Sequence, residues 1–138
     1  MHFDQALFVI LLGSCTGAAR RETSALFEAV DHYRRAAEPS KASQGQALIG
    51  LVCTDAAVCE AKRVCSEAVE PTTRALQLKS EVTARMLDLE QKRLAPGAPE
   101  AEALPAKLDE AAHLLEVGRA KMTECERRLA DLRVRYGE

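Results

Sequence analysis

The chain has 138 residues, of which 47% are hydrophobic but only 4% aromatic, with no Trp and a formal net charge of −2. That length suits one domain with a modest core, and apolar surface supplied mainly by Ala and Leu favours helix. Acids and bases are interleaved rather than gathered into a basic stripe with aromatics between, so charge argues against nucleic acid as a partner.

Residues 6–12, Ala-Leu-Phe-Val-Ile-Leu-Leu, form an unbroken apolar run. It is too short to span a bilayer as a helix and has the length of a signal-peptide core. Leu12-Gly13-Ser14-Cys15 follows directly. This tetrapeptide resembles the lipobox of bacterial lipoproteins, and the resemblance covers only the segment ending at Cys15. It implies that the Cys15 thiol takes a diacylglyceryl group, that cleavage makes Cys15 the new N-terminus, and that its amine is acylated again. Several buried acyl chains, at roughly 0.8 kcal/mol per CH2, would hold a membrane stably where one chain binds marginally. Thr16, not Asp, follows the cysteine. By the sorting rule of some of these bacteria this implies an outer membrane lipoprotein, facing the periplasm or the cell surface. Met1–Gln5 departs from the family's basic n-region, having no Lys or Arg and including Asp4, which points to initiation upstream of Met1. The expected organisation is a signal peptide over 1–14, a lipid-anchored tether over 15–21 and a helical bundle domain over 22–138.

From Arg20 to about Glu38, apolar Leu26, Phe27, Val30, Tyr33 and Ala37 recur at three- and four-residue steps, predicting an amphipathic helix. Pro39 is expected to end it and Ser40 to cap a second short helix through Ala47, Leu48, Leu51 and Val52. Cys53-Thr54-Asp55 reads as a turn, with Thr54 or Asp55 accepting from the first backbone N–H groups of a long helix that runs to about Leu94. Pro71 predicts a kink or brief break near Glu70. Pro96-Gly97-Ala98-Pro99 marks a loop. In the last helix Leu104, Leu108, Ala111, Leu115, Gly118, Met122, Cys125, Leu129, Leu132 and Tyr136 step by four and three, a sustained heptad seam whose first turns hold Pro105.

The fold class expected is therefore all-α: an antiparallel hairpin of two long helices plus shorter N-terminal helices, stapled by disulfides. With Cys15 set aside, Cys53, Cys59, Cys65 and Cys125 are an even set. In an exported protein such a set suggests two disulfides, and in the cytosol metal or redox chemistry. Facing positions of an antiparallel hairpin have a constant sum. Pairing Cys65 with Cys125 places Ala68 by Met122, Thr72 by Gly118, Ala75 by Leu115, Val82 by Leu108 and Met86 by Leu104. Lys79 opposite Ala111 fits poorly and predicts a drift of register. Gly118 costs about 1 kcal/mol in a helix interior relative to Ala, and either accommodates the Pro71 region or has no packing role. Cys53 and Cys59 then pair across the start of their helix, although four cysteines allow three pairings and Cys53 or Cys59 with Cys125 remains open.

His32 and His113 stand alone in separate helices and read as surface residues. The C-x5-C-x5-C spacing lacks the usual zinc knuckle, and no Ser-His-Asp set, glycine-rich phosphate loop or carboxylate pair gives catalysis a residue to rest on. Glu60, Glu67, Asp88 and Glu90 read as helix surface. Neither an enzyme nor a metal or soluble cofactor is expected, the only attached group being the lipid on Cys15. The leading expectation is a membrane-tethered structural or protein-interaction component of the cell envelope, its partners being the membrane and an envelope protein. The alternatives are a carrier of a small hydrophobic ligand and a cytosolic thiol or zinc protein.

Overall fold

A computed structural model describes the backbone of residues 6–137 and the side chains of residues 17–137. The described residues are helical, without strands: α1 (Ala6–Arg35), α2 (Glu38–Ile49), α3 (Ala56–Ser66), α4 (Val69–Glu90), α5 (Pro99–Glu102) and α6 (Leu104–Tyr136). Contacts divide the chain into two compact units, one running through Ser66 and resuming at Thr123, the other spanning Glu67–Met122. Helix α6 contributes residues to both.

In the first unit α1 buries Ala19, Thr23, Leu26, Val30 and Tyr33, a four-three repeat that includes one residue ahead of the expected helix. Thr23 is fully enclosed, and its hydroxyl is satisfied within its own helix by donating to the Ala19 carbonyl at 2.7 Å. Val58, Ala61, Val64 and Cys65 of α3 and Cys125, Leu129 and Leu132 of α6 are also buried, as is Leu48 of α2. Helix α2 buries little else, only Gly45, and Lys41 ties it to α1 by donating to the Arg34 carbonyl at 3.1 Å while lying over the Tyr33 ring.

The first helix ends at Arg35, earlier than Pro39 alone predicts, and Pro39 sits in the first turn of α2 instead. An amide is missing there without loss, because the first N–H groups of a helix have no intrahelical acceptor. Ser40 is accordingly inside α2 and is not its cap. The extended residue preceding α2 is Ala37, which offers no side-chain cap. Asp55 does cap α3, its carboxylate accepting from the Val58 N–H at 3.1 Å.

The expected long helix is two helices. The break falls at Glu67-Ala68, three residues ahead of Glu70, and leaves Pro71 in the first turn of α4. In the second unit α4 and the first half of α6 form the antiparallel hairpin, with Ala75, Leu78 and Ala111 at its centre and Leu114 and Leu115 packed against them. Leu78, not Lys79, shares the buried cluster with Ala111. Lys107–Glu81 at 3.0 Å and Lys121–Glu67 at 3.1 Å flank the seam. Leu104 and Val82 are buried, but the seam position Leu108 is 48% exposed, and Met86 and Leu87 are exposed to a similar degree.

Helix α4 closes in a Schellman arrangement: Arg93 N–H donates to the Asp88 carbonyl at 2.8 Å and Lys92 N–H to that of Leu89 at 3.1 Å. Lys92 takes the left-handed conformation, φ 59°, where glycine is usual. The turn is therefore made ahead of Pro96-Gly97-Ala98-Pro99. Pro99 opens the short α5, and a side chain at Gly97 would meet nothing.

Two disulfides join Cys53 to Cys59 and Cys65 to Cys125, with Cα–Cα distances of 5.4 and 4.5 Å. Both lie in the first unit. By the chain-entropy relation a sequence separation of 60 stabilises more than one of 6. Replacing Cys65 and Cys125 together by Ser should cost about 4 kcal/mol, against about 2 kcal/mol for Cys53 and Cys59. Urea denaturation of the two double variants checks the ranking.

The expected Thr72–Gly118 pairing is met closely: a Cβ added at Gly118 would collide with Thr72 Oγ1 and come within 3.6 Å of the Ala68 carbonyl oxygen. The obstacle to a larger residue is the Thr72 side chain, the α4 backbone standing at ordinary contact distance. Gly118→Ala should destabilise by about 1 kcal/mol, opposite in sign to its helix propensity, and Thr72→Ala in the same chain should restore the gain. A double-mutant cycle measured by thermal unfolding tests this coupling.

Candidate functional site

The side chain of Cys15, the expected lipidation site, lies outside the described residues. The backbone of the expected tether, residues 15–21, belongs to α1, and Ala19 within it is buried. Cys65 and Cys125 are fully buried, whereas Cys53 and Cys59 are half-buried at the α2–α3 connection. That connection is the most densely bonded polar locus of the first unit.

Its centre is Glu22 on α1. One carboxylate oxygen accepts from the Thr54 N–H at 2.8 Å and the Thr54 hydroxyl at 2.5 Å, and the other from the Asp55 N–H at 2.9 Å. Those two amides belong to the turn that feeds α3. A helix carboxylate here takes the place of the loop's missing partners. Asp55 in turn accepts from Val58 N–H and, at 2.8 Å, from the hydroxyl of Tyr136 near the end of α6. The Tyr136 carbonyl accepts from Arg20 Nε at 3.0 Å, and Lys62 donates to the Leu51 carbonyl at 2.9 Å. Residues 51–55 are thus held from α1, α3 and α6 by side chains that are not cysteine.

The hydroxyl of Thr54, followed by the Asp55 and Thr54 amides, holds the Glu22 carboxyl below its ordinary value. Donation to Asp55, aided by burial and by the Asp55 charge, raises the Tyr136 phenol above its ordinary value. Sequence reading registers Tyr136 as a seam residue and misses Glu22 and Arg20 altogether. Thr54-Asp55 was the available signal, since a turn ahead of a helix leaves amides that need an acceptor.

The other charged residues behave as helix surface. His32 is exposed and 3.9 Å from Glu28, and His113 is exposed. Glu60 pairs with Arg63 at 2.7 Å, Glu67 with Lys121, and Asp88 with Arg93 at 2.7 Å and Arg85 at 3.0 Å. Arg93 holds the Asp88 carboxyl below its ordinary value, and Arg63 does the same for Glu60. Among the described residues no group of three or more His, Cys, Asp or Glu is placed to hold a metal ion, and no helix is long and apolar enough to cross a membrane.

Two grooves flank α6 in the first unit. One, of 270 Å³, has Phe27, Val30, Leu129 and Ala130 as its apolar lining and Asp31, Arg34, Glu126 and Arg133 as its charged lining. Arg34 and Glu126 pair at 3.1 Å, and the Arg133 guanidinium lies 4.7 Å from the Phe27 ring centre. The other, of 180 Å³, is bounded by Ala57, Glu60, Ala61, Arg128, Asp131, Leu132 and Arg135. Both fall below the roughly 300–1,000 Å³ of typical small-molecule sites.

Glu22 gives the first unit a specific acid sensitivity. Its folded carboxyl titrates below the unfolded one, so its stabilisation is complete above the ordinary carboxylate value and is lost as pH falls through the depressed folded value. Glu22→Gln should cost about 1–2 kcal/mol at neutral pH and flatten the loss of stability between neutral and acid conditions. Urea midpoints measured across that pH range for both chains check it. Compared with known protein families, with curated proteins and with solved structures, the chain matches none of them.

Proposed function

We propose that this protein is a membrane-anchored, non-catalytic helical lipoprotein that serves as a structural or protein-interaction component of the bacterial cell envelope. The observation that carries the proposal is the tetrapeptide Leu12-Gly13-Ser14-Cys15 directly behind the apolar run 6–12. Four of the five cysteines are joined in two disulfides, in keeping with a protein that matures where disulfides persist. The remaining cysteine is the one the lipobox resemblance assigns to lipid. Cross-linked helices with outward-facing apolar residues suit an interaction role better than a reaction: Val52 and Val134 are 84% and 89% exposed in the first unit. In the second unit Met86, Leu87 and Leu108 are about half exposed.

On this reading the mature chain starts at an acylated Cys15 and takes its membrane affinity from the lipid. Protein purified from bacterial membranes should give an N-terminal peptide beginning at Cys15 and carrying a diacylglyceryl group by mass spectrometry. Cys15→Ser should abolish the modification and shift the protein out of the detergent-extracted membrane fraction. An intact, unacylated N-terminus on the native chain would overturn the proposal.

A further inference from the structure

We infer that the Cys53–Cys59 bond is a site of reversible thiol–disulfide exchange, opened by an external dithiol and closed again while the protein stays folded. The two disulfides differ in what surrounds them. Cys65 and Cys125 are wholly shielded from solvent, so an attacking thiolate has no path to their sulfurs without unfolding. Cys53, in the α2–α3 connection beside the 84%-exposed Val52 in sequence, and Cys59, in the first turn of α3, are both only half-buried. A thiol reagent reaches this bond from solvent.

Accessibility alone would make a fragile staple. What makes the site reversible is that the connection keeps its shape without the bond. Glu22 holds Thr54 and Asp55 by three hydrogen bonds, Asp55 caps Val58 and accepts from Tyr136, and Lys62 holds the Leu51 carbonyl. None of these contacts involves a sulfur. Once reduced, the two cysteines remain on backbone positions 5.4 Å apart, so closure is an intramolecular step at high effective concentration.

The exchange balances as follows. One thiolate of the dithiol attacks a sulfur of the Cys53–Cys59 pair; the Sγ–Sγ bond breaks as a mixed disulfide forms, and the other cysteine departs as thiolate. The second thiolate of the reagent then attacks its own sulfur in the mixed disulfide and releases the second cysteine. The dithiol is oxidised to its disulfide, the protein pair gains two electrons, and the two protons of the dithiol end on Cys53 and Cys59. The inference concerns these two sulfurs and does not depend on acylation of Cys15.

The test uses the oxidised full chain in dithiothreitol buffers of graded redox ratio, with acid quenching, alkylation and peptide mass spectrometry. Cys53 and Cys59 should become alkylated together, at least about tenfold faster than Cys65 and Cys125, with helical circular dichroism retained. Returning the sample to oxidised dithiothreitol should restore Cys53–Cys59. Equal labelling of all four cysteines, labelling of Cys53 and Cys59 only in denaturant, or loss of helicity as they are reduced would each overturn the inference. The Cys53→Ala, Cys59→Ala double variant should keep its helicity and its Cys65–Cys125 bond, and failure to fold would also overturn it. In Glu22→Ala, reoxidation should slow several-fold because the connection is no longer held; an unchanged rate would show that those hydrogen bonds do not return the thiols to each other.

Discussion

The covalent link between Cys65 and Cys125 is the constraint on which the helical arrangement depends. It joins the last turn of α3 to α6 at a point without solvent exposure, and Leu129 and Leu132 continue the same buried stripe toward the C-terminus. A bond that closes so long a loop acts mainly by removing conformations from the unfolded chain, and it also fixes which turn of one helix faces which turn of the other. With aromatic residues at 4% of the chain, little of the core is supplied by large side chains, and cross-linking offsets what small residues do not bury.

Polar contacts do a different task from the apolar stripe. Most ion pairs on these helices are exposed and contribute little individually. The group around Glu22 differs in kind, since one carboxylate accepts three hydrogen bonds from uncharged donors of a single turn. Helix α2, which buries only Gly45 and Leu48, contributes too little apolar area to position the chain that follows it. The turn at Thr54 and Asp55 is therefore placed from outside, by α1 and by Tyr136 of α6.

The features legible in the sequence are those governed by local periodicity and by the cysteines. The helical steps of α6 follow from spacing, Asp55 is one of the two cap candidates that the turn offers, and the disulfides formed are, of the three pairings that four cysteines allow, the one that the hairpin register favours. Prolines are less legible. Pro39 and Pro71 each read as interruptions of a helix, whereas both lie in first turns, because a proline that cannot continue one helix is well suited to begin the next. The turn at Lys92 escapes notice because a lysine occupies a conformation for which glycine is the usual signal. Glu22 is illegible for a different reason: its partners stand 32 and 33 residues further along the chain, beyond any local pattern.

The uninterrupted course of α1 has a consequence for how the protein would be mounted. Ala19, four residues after Cys15 on the same helix, is already part of the buried core. At 1.5 Å per residue that separation is about 6 Å, roughly one helical turn. An acyl group on Cys15 would therefore be joined to the first unit through helix rather than through a flexible leash. Its orientation at the lipid surface would be set by α1 itself.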